Sequence, residues 1–306
     1  MLFEMKNKIF SGIDRLPIGT ATNQIIDGCL VLEGGAFRGV YTCGVLDALM
    51  EHHINLQCTI GVSAGAMTGV NYVAGQIGRA ARINLRYRHD SRYVGFPAIR
   101  NNHGIIGFDF VFEDVQKAYP FDEKRFFASD RRFLAVATDC LTGQPAYFEK
   151  GKTSDIFQAV RASASMPYVS KMVPVDGRPY LDGGCSTKIP YEWALQQNFE
   201  KIVVVKTRPD SFRREVHQKH TLPKRFYAAY PQLVESLEKS NEHYNDQCDQ
   251  IEQLRKEGRL FVISPSQPVS VRRLEKDMEK LGALYYLGYQ DANQSVQGLK
   301  DYLCKT

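Results

Sequence analysis

Residues Thr59–Ala66 read TIGVSAGA, and Gly61, Val62, Ser63, Ala64 and Gly65 within them spell G-x-S-x-G. The stretch before the serine, QCTIGV, is short, β-branched and apolar, and predicts a strand. The stretch after it, AGAMTGVNYVAG, returns small and apolar residues at helical spacing. A strand that turns sharply into a helix at a serine presents that hydroxyl at the top of a sheet. Gly61 and Gly65 let backbone pass close to the turn. The pattern also occurs by chance, so what surrounds it decides whether Ser63 is a nucleophile or an ordinary serine in a glycine-rich turn.

The same alternation recurs on either side. CLVLEGG (Cys29–Gly35) reads as a buried strand stopped by glycines, and GVYTCGVLDALMEHHI as an amphipathic helix. FLAVATDC (Phe133–Cys140), PAYFEK, KIVVVKT (Lys201–Thr207) and RLFVISP (Arg259–Pro265) read as strands. SDIFQAVRASASM reads as a helix with Ser154, followed by Asp155, as its N-cap candidate, ended by Pro167. Strand, helix, strand, helix predicts an α/β fold with a mainly parallel central sheet flanked by helices. Helix is expected from Ala64 to about Arg86, and loops with short helices over 90–125. Long, fairly exposed helices are expected over 211–256 and helix over 270–303. The organisation expected is a lead-in over 1–24, a core over 25–206, and a mostly helical extension with one strand over 207–306, packed on that core.

Composition narrows the function classes. Hydrophobic residues are 43% and charged residues 24% of 306 residues, as in ordinary globular proteins. No apolar run approaches the ~18–20 residues of a membrane span, and MLFEMKNKIF is a poor signal peptide. Seven cysteines without a CxxC pair argue against a disulfide framework or zinc cluster, and favour a reducing, cytoplasmic compartment. Arg79, Arg82, Arg86, Arg88, Arg92 and Arg100, interleaved with Tyr87, Tyr93 and Phe96, read as a solvated helix face and loop, or as contact with an anionic membrane surface or phosphate. No nucleic-acid motif accompanies them.

A serine hydroxyl needs a base and an oxyanion site. EGGAFRG (Glu33–Gly39) lies between an earlier strand and helix. In a parallel sheet it shares the carboxyl edge with Ser63, where glycines can aim N–H groups at an anion. It lacks the G-K-[ST] of a Walker loop, and a dinucleotide fingerprint fails at Ala36. For the base, a distant histidine is the common α/β solution. His52 and His53 sit at a helix end, and His217, His220 and His243 fall in charged sequence without a strand-end loop to hold them. Asp182, in YLDGGCSTKIP before Gly183 and Gly184, is a carboxylate on a turn with backbone donors near it.

EGGAFRG, GVSAG and DGG in this order resemble the patatin-like phospholipase family. The likeness extends to AVRASASMPYVSKMVPVDGRPYLDGG (Ala159–Gly184) and covers about Ile25 to Lys206. The resemblance implies that Ser63 is the nucleophile and Asp182 its base in a dyad. It implies an oxyanion hole at Gly34, Gly35 and Ala36, with the turn through Arg38 and Gly39 supporting it. It also implies hydrolysis of lipid acyl esters through an acyl-enzyme, with no metal and no cofactor; peripheral membrane contact is a separate expectation, from the arginines and aromatics over 79–100. The family's usual third glycine is Ala36 here. Alanine keeps its N–H, and its Cβ strains the loop only if the position needs φ > 0. Arg38 matches a common basic residue of the family, suited to a substrate phosphate or to bracing the loop. The rivals are a Ser-His-Asp esterase using a distant histidine and a non-catalytic lipid- or partner-binding module.

Overall fold

A computed structural model describes residues 8–95, 98, 104, 106–128, 130–216 and 221–305. Arg100, Phe96, His217 and His220 from the sequence reading lie outside the described residues. The chain runs β1 (Ile26–Leu32), α1 (Gly39–Glu51), β2 (Leu56–Val62), α2 (Ala64–Val73), α3 (Arg79–Tyr87), β3 (Arg132–Asp139) and β4 (Pro145–Glu149). It continues through α4 (Ile156–Ser163), β5 (Val173–Val175), β6 (Arg178–Asp182), α5 (Tyr191–Gln196) and β7 (Ile202–Val205). It ends in α6 (Pro231–Lys256), β8 (Phe261–Ile263) and α7 (Met278–Cys304).

The eight strands form one sheet in the order β8-β7-β1-β2-β3-β6-β5, with β4 also pairing β3. The pairings from β8 to β3 are all parallel, while β4 and β6 run antiparallel to β3. Both faces of the sheet are buried, as continuous apolar strands require. Leu30, Leu32, Val203 and Val205 point into one core with α1 and α7, and Cys29, Val31, Ile202 and Val204 into the other with α5 and α6.

Register brings two chain ends together. Val62 at the end of β2 pairs with Val136 of β3, and Asp182 at the end of β6 pairs with Ala137. β2 runs with β3 and β6 against it, so the two strands arrive at the same point of β3 from opposite directions.

Several elements differ from the sequence reading. The helix expected over Ala64–Arg86 is broken into α2 and α3. Gly75 (φ +67°) and Gly78 (φ +76°) turn left-handed around a short strand, Gln76–Ile77, which pairs with Gly19–Thr20. Helix does not begin at 270 but at Met278, where Asp277 accepts the N–H groups of Glu279 and Lys280. Over 211–256 the long helix is α6 alone, started by Pro231 and preceded by the short helix Thr221–Phe226. It is less exposed than its composition suggests, because Leu233, Tyr244, Gln247, Cys248 and Ile251 form a buried stripe. In the lead-in, Phe10 is buried against Gly282 of α7, where a Cβ would stand 2.1 Å from its ring.

The arginines near α3 also read differently. Arg79, Arg82 and Arg88 are buried rather than solvated or turned to a surface. Arg82 donates to the Leu16 and Pro17 carbonyls, and Arg88 to those of Leu274 and Glu275 while lying over the Phe37 ring. Their charge braces loops.

Candidate active site

Ser63 stands between β2 and α2 at φ +55°, ψ −120°, a backbone conformation that L-residues rarely adopt. The surroundings impose it. A Cβ on Gly61 would lie 2.5 Å from the Gly65 carbonyl carbon, and one on Gly65 would lie 2.5 Å from the Leu32 oxygen. Both positions of the motif are therefore closed to side chains. The Ser63 N–H donates to Ser163 Oγ at 2.8 Å, and Ser163 Oγ donates to the Val136 carbonyl at 2.6 Å. That clamp from the end of α4 fixes the turn to β3. Sequence reasoning assigned Ser163 no role; its only signal was membership of the segment leading to Asp182.

The Ser63 hydroxyl donates to Asp182 Oδ2 at 2.7 Å. The other carboxylate oxygen accepts the Gly184 N–H at 2.8 Å, and Thr138 Oγ1 donates to the Asp182 carbonyl at 2.9 Å. Gly183 has to be glycine, since a Cβ there would stand 2.2 Å from the Val136 oxygen. Burial holds the Asp182 carboxyl above the ordinary carboxylate range, and the Ser63 hydroxyl, the Gly184 N–H, Arg273 and Lys188 each offset part of that rise. From α6, Gln247 grips the segment after Asp182, donating to Thr187 Oγ1 and the Ile189 carbonyl, both at 2.8 Å. Among the described residues no histidine hydrogen-bonds Ser63 or Asp182. His52 bonds Asn293 and His89 the Lys276 carbonyl.

The loop Glu33–Gly39 lies against this pair. A Cβ on Gly39 would come 2.7 Å from that of Ala64, and one on Gly34 3.2 Å from that of Ser63. Ala36 adopts φ +50°, so the position does require the left-handed conformation that glycine adopts freely. The donors are unequal. The Gly34 N–H is committed to the Lys188 carbonyl at 3.3 Å, and the Phe37 N–H to that of Arg273 at 3.1 Å. Among the described residues, no backbone carbonyl accepts from Gly35 or Ala36.

A cavity of about 510 Å³, partly open to solvent, is lined by Ser63, Ala36, Met67, Tyr93, Ile106 and Leu274 among others. Met67, Thr68, Asn84 and Tyr93 are shared with a second cavity of about 580 Å³, walled by Phe108, Phe112, Phe121 and Phe157. The segment 90–125 thus supplies much of the apolar lining beside the serine.

A strained serine elbow facing a buried carboxylate at the edge of a mainly parallel sheet is the arrangement of a hydrolase acting on carboxylic esters. The family model described as patatin-like phospholipase matches residues 30–195, and the chain belongs to that family. A second family, described only as a domain of unknown function, matches residues 230–304. The uncharacterized protein YjjU of Escherichia coli K12 is 29% identical over 272 residues, spanning 85% of this chain and 74% of the relative. The probable lipid hydrolase 463L of Invertebrate iridescent virus 6 is 25% identical over 218 residues, spanning 62% of this chain and 73% of the relative. Among solved structures, VipD of Legionella pneumophila aligns with a TM-score of 0.49 at 14% identity, covering 95% of this chain and 70% of that one. No helix among the described residues is long and apolar enough to cross a membrane.

Proposed function

We propose that the protein is a lipid acyl hydrolase that works through a Ser63–Asp182 dyad and an acyl-enzyme. The observation that carries this reading is the 2.7 Å hydrogen bond from the Ser63 hydroxyl to Asp182 Oδ2 on a turn whose glycines admit no side chain. Asp182 takes the hydroxyl proton as Ser63 Oγ attacks the ester carbonyl carbon. The tetrahedral oxyanion accepts from the N–H groups of Gly35 and Ala36. Gly34 is left out of that donor pair because its N–H already serves Lys188. As the intermediate collapses, Asp182 returns the proton to the departing alcohol. It then draws a proton from the water that releases the carboxylic acid.

The apolar cavities beside Ser63 support an acyl chain as the group bound there, in keeping with the family and with the lipid-hydrolase name of the viral relative. A reducing compartment is supported by seven unpaired cysteines, six of them buried. Replacing Ser63 with Ala should lower p-nitrophenyl ester turnover by about 10⁴-fold or more and abolish fluorophosphonate labelling. A Ser63→Ala protein that is still labelled and still turns over contradicts the reading.

A further inference from the structure

The two cavities beside Ser63 are mainly apolar, and among the described residues that line them Arg79 alone carries a charge. Helix α2 links this arginine to the serine. Ser63 caps α2, its carbonyl accepts the Met67 N–H at 3.1 Å, and the Met67 carbonyl accepts the Asn71 side-chain amide at 3.0 Å. Ser63, Met67 and Asn71 are spaced by four residues and share one face of the helix. Met67 lines both cavities, and Asn71 only the second. The second cavity therefore continues the first along α2, away from the serine. Asn71 Oδ1 accepts from Arg79 Nη1 at 2.7 Å, so the Arg79 guanidinium stands about two helical turns beyond Ser63.

Arg79 is 8% exposed and only partly engaged. Its Nε donates to the Tyr119 carbonyl at 3.0 Å, and the guanidinium carbon lies 5.2 Å from the centre of the Phe121 ring. Among the described residues, Nη2 makes no hydrogen bond and no carboxylate pairs with this arginine. Arg132, Arg161, Arg178, Arg213 and Arg255, by contrast, each meet a carboxylate. Burial lowers the Arg79 guanidinium to about 10, with no neighbouring charge to offset the fall. A guanidinium withdrawn from water without a counter-charge is costly. Gln116 and Phe121 in the same wall are half-buried, so this end of the cavity is not sealed from water.

Resting on the hydrolase reading above, we propose that Arg79 receives a carboxylate at the far end of the substrate's acyl chain, making the enzyme selective for esters of dicarboxylic acids over esters of plain fatty acids. The ester carbonyl sits at Ser63, and the chain runs past Met67, whose unbranched side chain can turn aside, into the second cavity. Eight residues of helix span about 12 Å, the reach of a chain of about ten carbons. Its methylenes lie against Ile83, Phe108, Phe112 and Phe157, and the terminal carboxylate accepts from Arg79 Nη2 in a charge-assisted bond. Hydrolysis consumes one water and releases the alcohol and the dicarboxylic acid. Arg79 sets specificity at a distance from the bond that breaks.

Mono-p-nitrophenyl esters of dicarboxylic acids and p-nitrophenyl esters of fatty acids of equal length, both kept monomeric, test this with the full chain. At ten carbons, kcat/KM for the carboxylate-bearing ester should exceed that for the plain ester by about tenfold or more. At six carbons the carboxylate falls short of Arg79 and that advantage should be lost. In Arg79→Met the ten-carbon ratio should approach one, chiefly through KM. Arg79→Lys should retain part of it, and Arg86→Gln, on the exposed side of α3, should leave it unchanged. In wild type alone, a ratio near one, or the same preference at six and ten carbons, overturns the proposal. So does a ratio unmoved in a folded Arg79→Met. Inhibition by free decanoate that depends on Arg79, without preference for the carboxylate-bearing ester, assigns the site to a free fatty acid and also overturns it. Each of these outcomes leaves the hydrolase reading standing. Should wild type cleave no ester, the hydrolase reading falls, and the subsite is judged by calorimetric binding of monomethyl sebacate. No binding, or equal affinity in wild type and Arg79→Met, then overturns it.

Discussion

Both turns that leave the carboxyl edge of β1 and β2 carry a non-glycine residue at positive φ, Ala36 at +50° and Ser63 at +55°, but they use that conformation differently. At Ser63 the backbone is closed in. Its N–H is held by Ser163, and a Cβ on either flanking glycine, Gly61 or Gly65, would stand 2.5 Å from a backbone atom. The strain there aims a side chain. At Ala36 the backbone is open, and the N–H groups of Gly35 and Ala36 have no backbone acceptor among the described residues, while their neighbours at Gly34 and Phe37 do. The strain there frees donors. In the mechanism proposed above, two similar strand-to-helix turns divide the work of an acyl-transfer site, one holding the attacking group and the other facing the charge that develops.

The two turns should respond unequally to substitution. Ser63→Ala, which removes the attacking oxygen, gives the largest loss. Ser163→Ala comes next, because it leaves the Ser63 N–H and the Val136 carbonyl unpaired. A buried unpaired group costs about 1–3 kcal/mol, so kcat should fall about 10- to 100-fold with the protein still folded. Steady-state kinetics beside a melting curve would check this; an unchanged kcat would show that the elbow holds itself without the clamp. A smaller effect concerns pH. Asp182 accepts a proton only when ionised, and burial raises its pKa, so activity is present above that raised value and lost as pH falls through it. The acid limb of kcat/KM should therefore lie above the ~4 of an ordinary carboxylate, and a limb at that ordinary value would contradict the burial argument. The smallest change belongs to the open turn. Ala36→Gly relieves left-handed strain of about 1 kcal/mol but adds a comparable chain-entropy cost. Stability should move by less than about 1 kcal/mol and kcat/KM by less than about threefold, measured by denaturant titration and ester turnover.

What the sequence made readable followed from local rules. The G-x-S-x-G spacing, the strand before it and the helix after it are short-range features, and so are the glycine turns at Gly34–Gly35 and Gly183–Gly184. The meeting of Ser63 with Asp182 depends on the register of β2 and β6 along β3, which only the ordered resemblance of three motifs suggested. Other features were invisible to periodicity. Ser163 matters because the end of α4 reaches the end of β3. The fate of the Gly34 N–H depends on Lys188, far away in sequence. Arg82 and Arg88 look like a polar helix face until the carbonyls of Leu16, Pro17 and Leu274 are seen beneath them. The Ala64–Arg86 helix was read as continuous because small residues fit a helix, whereas Gly75 and Gly78 at positive φ end one helix and start another.

The dyad is tested most directly by acyl-enzyme formation in Asp182→Asn. Asparagine keeps the size of the side chain and can still hold the Gly184 N–H, but it cannot take the Ser63 proton. In stopped-flow measurements with a p-nitrophenyl ester, the burst rate should fall about 10³- to 10⁴-fold while the melting temperature stays near that of the wild type. A burst rate that is unchanged in Asp182→Asn, or one that is instead lost in His243→Gln, would contradict the account.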